Sequence, residues 1–228
     1  MTGRRDLKVR VKTAKKRRNS STRWLERQLN DPYVHEANRL GYRSRAAFKL
    51  KEIDEKHRLL KPGMVVVDLG AAPGGWCQVA GKIVGAETGN GTVIAIDLKP
   101  IDAIAGVTAL VMDFMDDEAP GALIKELGGK KADIVLSDMA ASASGHKATD
   151  HMRIMALLEC AVDFATDVLA PGGTFLGKVL KGGTEAELLK ILKRDFTNVK
   201  HVKPNASRAD SAETYVLATG FRGSIQPS

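Results

Sequence analysis

From residue 61 onward, short and nearly continuous apolar runs alternate with longer amphipathic stretches. The runs MVVVDLG (64–70), TVIAIDL (92–98), VTALVMD (107–113), ADIVLSD (132–138), TFLGKVL (174–180), FTNVKHVKP (196–204) and ETYVLATG (213–220) predict seven strands, and helical patterns fill 74–86, 117–127, 148–169 and 184–194. Val/Ile runs without polar alternation mark strands buried on both faces, and the helices between them mark parallel crossovers. The link between the last two runs is too short for a crossover helix, so these strands form an antiparallel pair at one end of the sheet. Residues 24–60 read as helical. In 31–41, Asp31 is the expected N-cap, Pro32 the first helical residue and Gly41 the stop; 44–57 opens at Ser44 and puts Ala47, Leu50 and Ile53 on one face. The expected fold is α/β and Rossmann-like: one domain over 24–228 with a seven-stranded, mostly parallel sheet, helices on both faces and a helical extension at 24–60.

Charge adds a second region. Residues 1–23 carry ten Lys/Arg against Asp6 alone, whereas the remaining 25 Lys/Arg face 26 Asp/Glu. The net charge of +8 is therefore a basic arm on a nearly neutral body. An arm of this composition is expected to be disordered when free and to bind nucleic acid by displacing counterions from phosphates. Cys77 and Cys160 are isolated thiols, which fits a reducing cytoplasm, and the five histidines form no zinc pattern. No apolar run reaches the length of a membrane span. The absence of an obvious pairing surface suggests a monomer.

The chemistry gathers at the ends of the predicted strands. The stretch VVVDLGAAPGGW (65–76) is a strand, a glycine-rich turn and a helix start, in which Gly70, Gly74 and Gly75 let backbone approach a ligand. Its glycines lack the G-x-G-x-x-G spacing of dinucleotide sites, and Pro73 removes a donor that a pyrophosphate would use. This disfavours a nicotinamide-dependent oxidoreductase. Asp97, Asp113 and Asp138 close three consecutive strands, where open α/β sheets bind ligands. Each alone is an ordinary turn or capping acid. Together they suit a ribose, an adenine amino group and a cationic centre, as in S-adenosylmethionine.

One residue breaks an apolar run. Lys178 sits inside TFLGKVL, where an unpaired buried ammonium is costly. Strand alternation sends Phe175 and Val179 to one face and Leu176, Lys178 and Leu180 to the other, which puts Lys178 near Asp138 or leaves it snorkelling at a strand end. Lys49, in AAFKLKEI, and Glu213, at the start of the last strand, read on spacing alone as surface residues.

The set RSRAAFKLKEI, VVVDLGAAPGGW, IAIDLKP, SDMA, APGGTFLGKVLKGG and KPNASRADSAETYVLATG resembles the FtsJ-like 2′-O-ribose RNA methyltransferases over about residues 20–222. The likeness is greatest to the bacterial branch that methylates a uridine of large-subunit (23S) ribosomal RNA. The resemblance implies a class I methyltransferase fold and a Lys–Asp–Lys–Glu catalytic set at Lys49, Asp138, Lys178 and Glu213. It also implies S-adenosylmethionine held by Gly74, Trp76, Asp97, Asp113 and Asp138, and ribosomal RNA in the 50S particle as partner. Lys178 would then act as a neutral base, or as a cation that steers the hydroxyl. Arg39, Arg43, Arg45, Lys49 and Lys51 would form a basic patch that positions RNA phosphates. Where family members often carry Pro and Asn after SDMA, this chain has Ala141 and Ser142, which alters the loop beside Asp138. The same motifs would serve a methyltransferase of another RNA, such as transfer RNA; a ribosome-assembly factor without turnover has no need of the catalytic set.

Overall fold

A computed structural model describes residues 19–141, 145–180, 186–209 and 211–223. The seven apolar runs form β1 Val65–Leu69, β2 Thr92–Asp97, β3 Val107–Val111, β4 Ala132–Ser137, β5 Leu169–Leu180, β6 Phe196–Val202 and β7 Glu213–Phe221. The helices are α1 Asn19–Leu29, α2 Pro32–Leu40, α3 Ala47–His57, α4 Gly75–Val84, α5 Ala119–Leu127, α6 Lys147–Val168 and α7 Ala186–Asp195. One sheet runs β3-β2-β1-β4-β5-β7-β6. β7 lies antiparallel between β5 and β6, and the other pairs are parallel. Strand order reverses between β1 and β4, so the carboxyl ends of these two strands open the crevice where ligands bind in such sheets.

The continuous apolar runs are explained by two core layers. On one face, Val67, Ile94, Phe175 and Val179 pack with Leu123 of α5, Leu158 of α6 and Leu192 of α7. On the other, Val66, Leu136, Leu176 and Leu217 pack with Leu50 and Ile53 of α3 and Trp76 of α4. No helix among the described residues is long and apolar enough to cross a membrane.

Three details differ from the pattern in the sequence. β5 begins at Leu169, five residues early, and its register against β4 shifts between Ala132 and Ile134, because the strand passes through Pro171–Gly173 as an irregularity and does not end there. α3 begins at Ala47, and Ser44 does not cap it: Ala46 precedes the helix without a side-chain bond, while the Ser44 hydroxyl is buried without a partner among the described residues. The expected arm falls outside the described residues up to 18, and residues 19–23 belong to α1. α2 follows the sequence closely: Asp31 accepts from the Tyr33 amide, Pro32 opens the helix and Gly41 ends it in the left-handed region at φ 74°.

Candidate active site

Strand alternation puts Lys178 on the α3 side of β5. Phe175 and Val179 enter one core layer and Leu176 the other. Across the antiparallel ladder Lys178 faces Tyr215, and Leu180 faces Glu213, so Glu213 and Tyr215 flank the lysine on β7. The Lys178 ammonium lies 2.8 Å from Asp138 Oδ1 and 3.8 Å from Glu213 Oε1, and it donates to the Asp138 carbonyl at 2.9 Å. Lys49, from the first turn of α3, reaches Asp138 Oδ2 at 3.5 Å and Glu213 Oε2 at 3.3 Å. Both lysines are buried, at 7% and 8% exposure. The four residues singled out by resemblance thus meet as two cations and two carboxylates, although Lys49 and Glu213 looked like surface residues on spacing alone. Burial by itself would raise the Asp138 carboxyl. The Lys178 and Lys49 ammoniums, with hydrogen bonds from Lys178 and Tyr215, more than reverse this and hold it below the usual carboxylate range.

Asp138 also lines a second space. A cavity of about 610 Å³ opens at the ends of β1, β2 and β4, within the usual size of ligand sites. Asp97, Asp113 and Asp138 all line it, as expected. Asp97 is at the same time the turn acid of the plain reading: its two oxygens accept from the amides of Ala72 and Lys99, both at 2.9 Å. Asp113 likewise accepts from the Met115 amide at 3.0 Å. Gly70, with φ 75°, forms part of the wall. A Cβ there would stand 2.9 Å from Met139 Cα, so only glycine lets β1 and the residues after β4 approach this closely. Three carboxylates, exposed backbone and the apolar side chains of Leu98 and Phe114 fit an adenosine bearing a cationic sulfur.

Gly74 and Trp76 do not line this cavity. Trp76 is buried, its indole N–H donating to the Ala46 carbonyl at 2.8 Å and its ring 5.6 Å from that of Tyr215. It ties α4 to α3. Arg43, expected on an RNA-facing patch, instead donates Nη1 to the carbonyls of Asp102 at 2.7 Å and Pro73 at 3.3 Å, and Nη2 to Ala103 at 2.9 Å. Arg39 pairs with Glu36, and Arg45 with Asp31. Arg43 is therefore engaged within the protein, whereas Arg39 and Lys51 keep exposed side chains. Gly74, at φ 103°, lies directly beneath Arg43: a Cβ would meet Nη1 at 2.9 Å. One guanidinium thus fastens the glycine turn to the 101–104 loop. Arg43→Ala is expected to weaken S-adenosylhomocysteine binding by about tenfold, as loss of charge-assisted bonds to carbonyls implies. Calorimetry against the wild type checks this; unchanged affinity would show that the turn holds itself.

Tyr215 and Asp68 carried signals that the sequence reading passed over. Tyr215 lies two residues after Glu213 and so shares its face of the strand. It donates to Asp138 Oδ1 at 2.8 Å, and its ring lies 5.8 Å from the Lys49 ammonium. Asp68 interrupts VVVDL as Lys178 interrupts TFLGKVL. It is fully buried, accepts the Cys77 thiol at Oδ2 (3.1 Å) and has no partner at Oδ1 among the described residues. Burial first, then the nearby charges of Asp138 and Asp97, push its carboxyl up from 3.8 to about 7, against the opposing hydrogen bond from Cys77. The folded protein therefore keeps a proton that the unfolded chain releases above 3.8. Stability is favoured at acid pH and lost as pH rises toward 7, with a slope of up to about 1.4 kcal/mol per pH unit. In Asp68→Asn this slope should vanish. Urea midpoints from pH 5 to 7.5 test it, and parallel curves for the two proteins would refute it.

A family model described as FtsJ-like methyltransferase matches residues 42–221. The chain is 65% identical over 228 residues to "Ribosomal RNA large subunit methyltransferase E" of Parvibaculum lavamentivorans, covering 97% of this chain and 89% of that one. It is 66% identical over 219 residues to the protein of the same name from Xanthobacter autotrophicus, covering 96% and 86%. Among solved structures it is similar to a Plasmodium falciparum chain described as a ribosomal RNA methyltransferase, with TM-score 0.68 and 33% identity over 80% of this chain and all of that one. The matched region contains the sheet, the crevice and all four members of the Lys/Asp/Lys/Glu cluster, and the chain belongs to the FtsJ-like methyltransferase family.

Proposed function

We propose that the protein transfers a methyl group from S-adenosylmethionine to the ribose 2′-hydroxyl of a uridine in large-subunit (23S) ribosomal RNA, within the assembled 50S particle. The observation that carries this is the position of Asp138, which lines the 610 Å³ cavity and also binds both lysines. Lys49 and Glu213 line a separate cavity of about 350 Å³ on the other side. A donor site and an acceptor site thus meet at one ionic cluster, as in-line transfer between two bound molecules requires. The names of the relatives support ribosomal RNA as the acceptor.

Asp97 and Asp113 are the carboxylates for ribose and adenine, and Asp138 faces the sulfonium end. S-adenosylmethionine supplies an electrophilic methyl group. The protein's part is to aim the hydroxyl and to stabilise the charge that grows on its oxygen. Lys178 donates to two Asp138 oxygens, which fixes its amino group beside a residue that lines the 610 Å³ cavity. In this reading it orients the hydroxyl and stabilises developing alkoxide. Glu213, 3.8 Å from the Lys178 ammonium and at 33% side-chain exposure, takes the hydroxyl proton and passes it to solvent. The test is methyl transfer to isolated 50S subunits, free ribosomal RNA and transfer RNA, with the labelled nucleotide mapped. A 2′-O-methyluridine in the 50S arm supports the reading, and label confined to transfer RNA overturns it.

The basic arm adds affinity without chemistry. Deleting residues 1–18, which carry nine Lys/Arg, should weaken RNA binding and flatten its dependence on salt by several units of slope, leaving S-adenosylhomocysteine binding unchanged. Filter binding across a salt series checks this; an unaltered slope would show the arm makes no phosphate contacts.

A further inference from the structure

Beyond Lys49 and Glu213 the 350 Å³ cavity continues into a larger one of about 780 Å³, and the two share Arg27, Arg45 and Arg208. They form one groove leading away from the ionic cluster. Its two parts differ in chemistry. Among the described residues the smaller is lined by four cations, Arg27, Arg45, Lys49 and Arg208, against the acid Glu213. The larger adds Tyr33, Asn205 and Ser207, together with the acids Glu26 and Asp31.

This groove is built in advance. Asp31, 8% exposed, holds Arg45 Nη1 and Arg208 Nη2 at 3.2 Å each, so two guanidiniums are fixed in place. Glu52 accepts from the Tyr33 hydroxyl at 2.8 Å and from the Ala206 amide at 2.9 Å, which ties α2 to the loop carrying Asn205–Arg208. Arg45 lies over the Tyr33 ring, 5.5 Å from its centroid. Within this ordered frame two polar atoms have no partner among the described residues: Arg45 Nε and the hydroxyl of Ser207, a residue only 4% exposed. Both atoms are closed off from the cavity, so contacts within the groove fall to the guanidinium tips and to Asn205.

We infer that the groove holds the nucleotide adjacent to the methylated one: the linking phosphate in the smaller cavity and the splayed base in the larger. The inference rests on the RNA 2′-O-methylation reading and extends it to a second subsite. The phosphate follows from the excess of cations next to the 2′-hydroxyl position. The base follows from a space walled by Tyr33 and by Asn205, whose exposed amide can hydrogen-bond a base edge, as single-stranded RNA recognition requires. The base at that position is therefore read by the protein.

The test titrates full-length protein, saturated with S-adenosylhomocysteine, with uridine 3′- and 5′-monophosphate and with the seven dinucleotides that contain uridine, followed by NMR. At least one dinucleotide should bind about tenfold more tightly than either mononucleotide, the value of one well-held base, and should shift the amides of 205–207. The gain should disappear in Asn205→Trp, an exposed position at which the indole fills the larger cavity, and in Arg27→Glu, while S-adenosylhomocysteine affinity is unchanged. Absence of any dinucleotide gain, or a gain that survives Asn205→Trp, overturns the subsite. The titration contains no ribosomal RNA and no methyl transfer, so its failure is distinct from failure of the 50S assay.

Discussion

Lys178→Ala is expected to lower methyl transfer by about 10³-fold, the range for losing a group that stabilises oxyanion charge. S-adenosylhomocysteine affinity should stay within severalfold, because Lys178 does not line the 610 Å³ cavity. The fold should survive, since Asp138 keeps Lys49 at 3.5 Å and the Tyr215 hydroxyl at 2.8 Å. Single-turnover methylation and calorimetry on the same preparation check both halves. Wild-type-like turnover would remove Lys178 from the chemistry, and joint loss of turnover and cofactor binding would make it a structural residue. Lys49→Ala should cost less, because it acts on the hydroxyl through Lys178, and Glu213→Ala should cost about 10²-fold, the low end for losing a proton acceptor. The pH profile separates the two roles for the lysine: a neutral base gives a rate that climbs with alkalinity, whereas a cation gives a rate that falls once the ammonium is lost.

Asp138→Ala should be the most damaging change to stability. It leaves two buried ammoniums sharing Glu213 alone and takes the acceptor from a buried tyrosine hydroxyl. Removing one partner of a buried ion pair costs about 3–5 kcal/mol, or roughly 10 °C in Tm for a chain of this size. Turnover should vanish as well. The double variant Asp138→Leu/Lys178→Met separates the effects. It should recover much of the stability by replacing a pair with apolar packing, and none of the activity. Thermal unfolding that leaves the single variant at the wild-type Tm would refute the electrostatic account of the cluster.

The strands, their parallel order and the antiparallel pair at the end could be read in the chain because burial on both faces forces uninterrupted apolar runs. The ends of elements were less legible: the bulge at Pro171–Gly173 looked like a turn, since both need the same residues. Lys178 was visible because it violates its surroundings, and the same criterion would have found Asp68. Lys49 and Glu213 break no local rule. Their meeting depends on α3 crossing to β7 over 164 residues of sequence separation, a distance that periodicity does not span. Arg43 was misread for a related reason. A cation near an active site looks like a ligand for phosphate, and only the fold shows three carbonyls already facing it.

The ionic cluster is a partition: the 610 Å³ cavity and the 350 Å³ cavity have no lining residue in common, and Asp138 stands in one while Lys49 and Glu213 stand in the other. This sets a rule for inhibitor design. If the 610 Å³ cavity holds S-adenosylmethionine as proposed, a compound built on adenosine alone fills it without disturbing the lysines, and so it competes with the cofactor and not with RNA. A bisubstrate compound must pass through the partition, and its linker must offer Asp138 a positive charge in place of the ammonium it displaces. A neutral linker would leave that carboxylate buried and unanswered, and so would bind more weakly than its two halves suggest.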